Sequence, residues 1–351
     1  MAKNILKLVE EQEAKAERTR RRGVIISPGA IGDCLLMLPL AEFMKDSLQL
    51  GGVDFVGHTD YISYFPGRTC IDGIRSIDSI EFHRLFVNPG EFSIEDGDEL
   101  VSSFTRYEWI VSFMGHGHTD FEDNLIFTVH CSRSAEITIL PLIAEGKNQN
   151  HISDFYIREF IKANPLETKP GSDGNRDILV HAHTSDIACG RKVLESMGLS
   201  SLEKTVIIHP GSGSSEKCWH IDNYCMLAEA LSRENIQVVL LLGPREQECF
   251  DNKVIKHLRN VGKCISGLDL VEIVQIIACS DLFLGNDSGI THLAAAMGGR
   301  TLAIFGPTDA VLYKPLGPGV QVYTADLDSF TSGSTESEYQ VRNLVFEMLK
   351  D

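Results

Sequence analysis

The chain reads as an α/β protein with parallel sheets, organised in two domains. Three observations predict this. Short apolar, β-branched runs alternate with helical patterns, and strands separated by helices pair in parallel through right-handed crossovers. Nearly every polar glycine loop falls just after one of those strands. At 351 residues the chain exceeds what a single core usually fills, and residues 165–177, rich in Pro, Gly, Asp and Lys, interrupt the rhythm as a linker would. That linker is expected to act as a hinge.

Residues 1–22 form a basic extension, with seven Lys and Arg against four Glu and a short apolar stripe of Ile5, Leu6, Leu8 and Val9. Two readings are open: a helix that touches an anionic membrane surface, and a solvated helix ahead of the first strand, which is the commoner case. Val24-Ile25-Ile26 begins the first domain as a strand. A turn at 27–33 leads into a helix over 35–44. Residues 51–56 and 109–113 are further strands, the second ending at the polar loop 114–120, and 151–162 is helical. Beyond the linker the pattern restarts. A helix at 186–197 precedes the strand 206–208 and the loop 209–214. A helix at 224–233 and the strand 237–242 follow, then the turn 243–246. The helix 270–278, the strand 281–284 and the strand 301–305 with its turn 306–309 complete the run. Residues 336–350 suggest a terminal helix.

Composition narrows the function. A net charge of −17 opposes general nucleic-acid binding, which needs a basic footprint. No apolar run reaches the roughly 18 residues of a membrane span. The N-terminus lacks the apolar core and cleavage site of a signal peptide. The nine cysteines show no CxxC pair, which points away from a disulfide framework or zinc site and towards the cytoplasm.

The most informative stretch is 285–296. Phe283 and Leu284 lead into Asp287, Ser288 and Gly289, and good helix formers follow. Free N–H groups at a helix start, with the positive end of its dipole, attract anions. The Ser288 and Gly289 amides suit a phosphate, with His292 near the same end. Asp287, itself an anion, suits a sugar hydroxyl or a backbone N–H. The plain alternative is a strand–helix turn with Asp or Ser as N-cap. Lys217, shortly after the second-domain glycine loop, is the candidate phosphate cation, with Ser212 and Gly213 as hydroxyl and backbone donors. Since ligands of open parallel sheets bind beyond the carboxyl ends of the strands, the glycine loops are expected to face one cleft.

Three sets of residues together resemble glycosyltransferase family 9, the ADP-heptose:lipopolysaccharide heptosyltransferase family. They are Gly29-Ala30-Ile31-Gly32-Asp33; then His209-Pro210-Gly211-Ser212 with Lys217 and Trp219; then Asn286-Asp287-Ser288-Gly289 with His292 and Gly306-Pro307-Thr308-Asp309. Order and spacing match from about residue 23 to 320. The resemblance implies GT-B, two facing Rossmann-like domains: an acceptor-side domain at 23–172 and a nucleotide-sugar-binding domain at 173–330, with a C-terminal helix at 331–351 crossing back to the first. It implies inverting transfer of a sugar, a heptose from ADP-heptose, to a hydroxyl of the lipopolysaccharide core or a related glycan. Asp33 would be the general base. Glu246 would bind the nucleoside and Leu268 would pack against its base. Gly29, Gly32, His116 and His118 would lie on the acceptor side. No cofactor or metal is expected, and the partners would be the donor and a lipid-linked or oligosaccharide acceptor, with peripheral contact at the inner membrane. Two positions depart from the family: Ser27 stands where Arg is common, and His220 where Pro follows Lys-x-Trp.

The plain reading of Asp33 is a helix cap, and a helix N-terminus weakens a carboxylate as a base. Glu246 equally fits a charge in a first helical turn, Trp219 a packing residue, and Lys217 a solvated lysine. A nucleotide-sugar epimerase on the same fold and a non-catalytic nucleotide-binding protein are the alternative functions. A dinucleotide oxidoreductase lacks its Gly-x-Gly-x-x-Gly.

Overall fold

The computed structural model describes residues 21–144, 150–166 and 178–350. The basic extension up to residue 20 and residues 167–177 of the expected linker lie outside the described residues. The chain divides into two compact units. The first carries β1 (Arg22–Ile26), β2 (Gly52–Gly57), β3 (Gly73–Ser76), β4 (Trp109–Ser112) and β5 (Glu136–Ile139), in the order β3-β2-β1-β4-β5. The second carries β6 (Thr205–His209), β7 (Gln237–Leu242), β8 (Lys263–Ser266), β9 (Leu282–Asn286), β10 (Thr301–Phe305) and β11 (Val320–Thr324), in the order β11-β10-β9-β6-β7-β8. Each ladder among the described residues is parallel.

The central strands β6, β9 and β10 are buried throughout. They read as unbroken apolar runs because helices cover both faces of a parallel sheet. The edge strands β3, β5, β8 and β11 are partly exposed and lack such runs, and the sequence reading passes over all four. In both sheets the strand order reverses beside the first strand, between β1 and β4 and between β6 and β9. Such switch points open a crevice at the carboxyl ends of the strands.

Two sequence expectations change here. The helix expected over 35–44 is two helices, Ile31–Leu36 and Leu38–Ser47, broken at Met37. Pro39 has no N–H to bond the Leu35 carbonyl and its ring crowds that carbonyl, whereas the first turn of a new helix accepts it. The short helix Ile31–Leu36 groups with the second unit, not with the strand that precedes it. The terminal helix, expected to cross back to the first domain, spends its apolar face inside the second unit. Val341, Val345 and Met348 of helix Thr335–Met348 join the core of Trp219, Tyr224, Leu240 and Ile304.

The first unit has a core of its own around Val24, Ile26, Phe104, Ile110 and Phe121. Beside it Asp54 on β2 is buried, with its carboxylate paired to Arg22 and Arg106 and accepting the Tyr107 hydroxyl at 2.9 Å. Burial, aided by the Asp54 charge, pushes the Tyr107 phenol up to about 12. A buried carboxylate holds its place when its partners satisfy it, and losing one side of such a cluster strands charge indoors. Asp54→Ala is therefore expected to cost about 3 kcal/mol of stability, measured by urea unfolding. A cost below about 1 kcal/mol would mean that the cluster behaves as a surface ion pair.

Candidate functional site

The carboxyl end of β9 builds the site. Asn286, fully buried, uses its whole amide. Its Oδ1 accepts from the Trp219 backbone N–H at 2.9 Å and the Tyr224 hydroxyl at 2.7 Å. Its Nδ2 donates to the carbonyls of Pro210 at 2.8 Å and Gly211 at 3.3 Å. The loop after β6 is thereby tied to the end of β9, across the second switch point. Trp219 is a packing residue: its indole N–H donates to Ser337 Oγ at 3.0 Å, and it meets Tyr224 edge-on at 5.0 Å.

Asp287, next in the chain, is nearly buried. Its Oδ2 pairs with Lys217 Nζ at 2.7 Å, and its Oδ1 accepts from His292 Nε2 at 3.4 Å. Burial pushes its carboxyl up, but His292 and then Lys217 outweigh that and hold it at about 2. Ser288 is the N-cap of helix Gly289–Ala296, accepting from the Thr291 N–H at 3.3 Å, so the plain capping reading holds for Ser288.

Three of the expected ligand-binding side chains are engaged within the protein. The Ser212 hydroxyl, expected to serve a phosphate, donates to the Asp287 carbonyl at 2.8 Å. The ammonium of Lys217, the expected phosphate cation, pairs with Asp287, and its three donors exceed that one bond. His292 turns Nε2 to Asp287, and its Nδ1 is buried with no hydrogen-bond partner, so here it holds Asp287 and reaches no open surface. Gly213 does border open space, since nothing lies within 4 Å of where a Cβ would stand.

Helix Ile31–Leu36 packs on the start of helix Gly289–Ala296. A Cβ on Gly289 would stand 2.7 Å from Ile31 Cβ and 3.2 Å from the Gly32 nitrogen, and one on Gly32 would stand 3.4 Å from His292 Cδ2. Gly289 thus lets the helices meet, and Asp33 arrives in the first turn of the docked helix, half-buried. At the end of β7, Glu246 is buried and bonds the Gly243 N–H at 2.6 Å as a helix cap. It also presses on Gly211, where a Cβ would stand 1.6 Å from its Oε1. His209 beside it donates Nδ1–H to the Leu241 carbonyl at 3.0 Å, and burial holds its imidazole below the usual value against the pull of Glu246. Leu268 is half-buried in the turn after β8.

The loops at the first unit's switch point are of another kind. Ser27 is buried and its Oγ accepts from the Gly29 N–H at 3.1 Å. His116 and His118 are exposed; His118 packs edge-on to Phe86 at 5.5 Å. His116 borders a cavity of about 410 Å³ with Leu140, Phe155, Glu159 and Lys162. Among the described residues no cluster of His, Cys, Asp and Glu could hold a metal ion. Sequence reasoning quoted Asn286 and His209 without a role and named Tyr224 only as the start of a helix. The available signal was a polar Asn closing an apolar strand.

The Asp287 carboxyl makes a pH prediction. A carboxyl held below its unfolded 3.8 stabilises the fold above that pH, and the contribution is lost as pH falls through about 2. Asp287→Asn cannot titrate. The stability gap between wild type and variant should therefore shrink by about 2 kcal/mol between pH 5 and pH 2, in urea unfolding across a pH series. A constant gap would place the titration elsewhere.

Residues 181–340 match the family model described as glycosyltransferase family 9 (heptosyltransferase). Lipopolysaccharide heptosyltransferase 3 of Escherichia coli (strain K12) is 31% identical over 131 residues, 36% of this chain and 37% of that protein. Lipopolysaccharide heptosyltransferase 1 of Campylobacter coli is 31% identical over 121 residues, 32% of this chain and 35% of that protein. The chain thus spans about a third of the length of the curated relatives it matches. In fold the likeness runs further. E. coli ADP-heptose LPS heptosyltransferase II superposes with a TM-score of 0.71 at 18% identity, covering 94% of this chain and 98% of that one. A glycosyl transferase of family 9 from Veillonella parvula DSM 2008 gives 0.69 at 15% identity, covering 94% and 97%. These likenesses assign the GT-B fold class, α/β with parallel sheets. The residues that match glycosyltransferase family 9, 181–340, contain the whole second sheet and the Asn286–Asp287 site.

Proposed function

We propose that the chain is an inverting glycosyltransferase that moves a heptose from ADP-heptose to a hydroxyl of the lipopolysaccharide core or a related glycan. The observation that carries this reading is the docking of helix Ile31–Leu36 on helix Gly289–Ala296. Asp33 follows Gly32, which meets His292, the partner of Asp287, and this supports the reading. Transfer at an anomeric carbon needs a base for the attacking hydroxyl and a counter-charge for the departing diphosphate. Asp33 takes the acceptor proton as that oxygen attacks the anomeric carbon. The bond to the diphosphate breaks on the opposite face, and the Lys217 ammonium offsets the charge that develops there. Asp287, held by His292, fixes the ammonium in place. The Gly213 backbone, open beside it, lets phosphate oxygens approach. Glu246 and Leu268 border the nucleoside. His116 and His118 belong to the acceptor side. The enzyme works at the cytoplasmic face of the inner membrane, and no helix among the described residues is long and apolar enough to cross it.

Asp33→Asn keeps the shape of the side chain and removes its capacity to take a proton. It is expected to lower kcat by about 10²–10⁴-fold with ADP affinity and melting temperature unchanged. Release of ADP from ADP-heptose, followed with and without acceptor, gives the rate. Near-normal turnover would remove Asp33 as the base, and ADP release independent of acceptor would oppose transferase action. Lys217→Ala should weaken ADP by about tenfold or more in calorimetry, since bonds to charged groups contribute about 1.5–3 kcal/mol. Equal affinity would remove the phosphate role of Lys217.

A further inference from the structure

The cavity beside His116 lies at the carboxyl ends of β4 and β5, between the segment 139–141 and helix Ile152–Ala163. Two sides of that helix have different tasks. Tyr156 and Phe160 are buried against the sheet, where Tyr156 meets Phe113 edge-on at 4.7 Å and Phe160 meets Trp109 at 6.0 Å. Phe155, Glu159 and Lys162 stand at i, i+4 and i+7, so they share another side, and all three line the cavity. Hydrogen bonds fix its walls. The Tyr156 hydroxyl donates to the Leu142 carbonyl at 2.7 Å, and Asn164 Nδ2 donates to Thr138 Oγ1 at 2.8 Å. The helix is thereby tied to β5 and to the segment that follows it.

The lining is graded from apolar to charged. Leu140 and Phe155 are nearly buried and give the cavity an apolar floor. Glu159 is half-buried, and the exposed side chains of Lys162 and His116 form the rim. Gly115 and Gly117, at φ +84° and +80°, turn the chain on either side of His116. Lys162 pairs with Glu159 at 3.4 Å. An exposed pair of this kind holds its members weakly, and an ammonium has three donors, so Lys162 can meet a ligand without giving up a strong bond. The volume of about 410 Å³ falls within the roughly 300–1,000 Å³ of small-molecule clefts.

We propose that this cavity binds one sugar unit that carries an anionic substituent. A sugar ring has an apolar face of C–H groups and an edge of hydroxyls. The face covers the floor of Leu140 and Phe155. The Glu159 carboxylate accepts from the hydroxyls, and the Lys162 ammonium, with an N–H of His116, meets the anionic group through charge-assisted bonds. A neutral sugar leaves the ammonium with Glu159 alone, and a bare anion leaves the floor uncovered. Each half of the lining therefore selects against a ligand that lacks its counterpart. The proposal deepens the acceptor-side reading of His116 and rests on it for the sugar's role as part of the acceptor.

The test is a ligand-observed NMR titration of the whole chain with glucuronate, glucose 6-phosphate, glucose and inorganic phosphate. Saturating ADP is present throughout, to occupy the Lys217 site. The titration is repeated on Lys162→Ala, whose side chain is exposed. The two acidic sugars should bind the wild type, with glucose and phosphate about tenfold or more weaker. Lys162→Ala should weaken both acidic sugars about tenfold, as for a lost bond to a charged group, with ADP affinity and melting temperature unchanged. Glucose bound as tightly as glucuronate overturns the anionic half of the proposal. Inorganic phosphate bound as tightly as glucose 6-phosphate overturns the sugar half. Equal affinities in variant and wild type, or no binding of either acidic sugar, overturn the site itself. A wild-type chain that binds the acidic sugars yet transfers no heptose to core oligosaccharide overturns the acceptor reading and leaves the sugar site standing.

Discussion

The amide of Asn286 joins the two strands that flank the second switch point. One carboxamide meets two donors and two acceptors, at Trp219, Tyr224, Pro210 and Gly211, with no exposure to water. A buried amide that satisfies all its partners is worth keeping because each unmet group indoors would cost its own desolvation. Much else depends on this bond set. It fixes the loop after β6, from which Ser212 reaches the Asp287 carbonyl and Lys217 the Asp287 carboxylate. It also anchors Trp219 and Tyr224, the large side chains on which the terminal helix packs.

On that frame the charges are arranged economically. Asp287 is buried deeply enough that it would resist ionising alone, and His292 and Lys217 reverse that preference. The result is a fixed negative charge that holds a lysine at the mouth of the sheet. The lysine is half-exposed, so it remains within reach of a ligand while its stem stays ordered. A lysine on a mobile stem would lose rotamer freedom on meeting each phosphate, and this pairing removes part of that cost in advance.

Close approach of backbones does the rest. Gly289 allows two helix starts to touch, and Gly211 leaves room for the Glu246 carboxylate. At Gly289 and Gly211 a methyl group would collide with the facing residue. The motif glycines of this chain are thus read as packing requirements first, with ligand access a further consequence at Gly213, where the space is open.

The sequence by itself determined the class of fold and the central strands. A buried parallel strand has to be apolar on both faces, and runs such as Val206-Ile207-Ile208 and Thr301–Phe305 announce themselves. It also located the loops that matter, because glycine and polar residues cluster where strands end. The four edge strands stayed hidden, since a half-exposed strand of four or five residues has no distinctive pattern. Only the tertiary structure decided who pairs with whom. Lys217 and Asp287 are 70 positions apart, and nothing local distinguishes a paired lysine from a solvated one. Helix Ile31–Leu36 is written into the first domain's sequence yet packs with the second unit, through a contact that requires glycine at position 289. The terminal helix shows the same limit, because an amphipathic face states that it must be covered and leaves the covering surface to the fold.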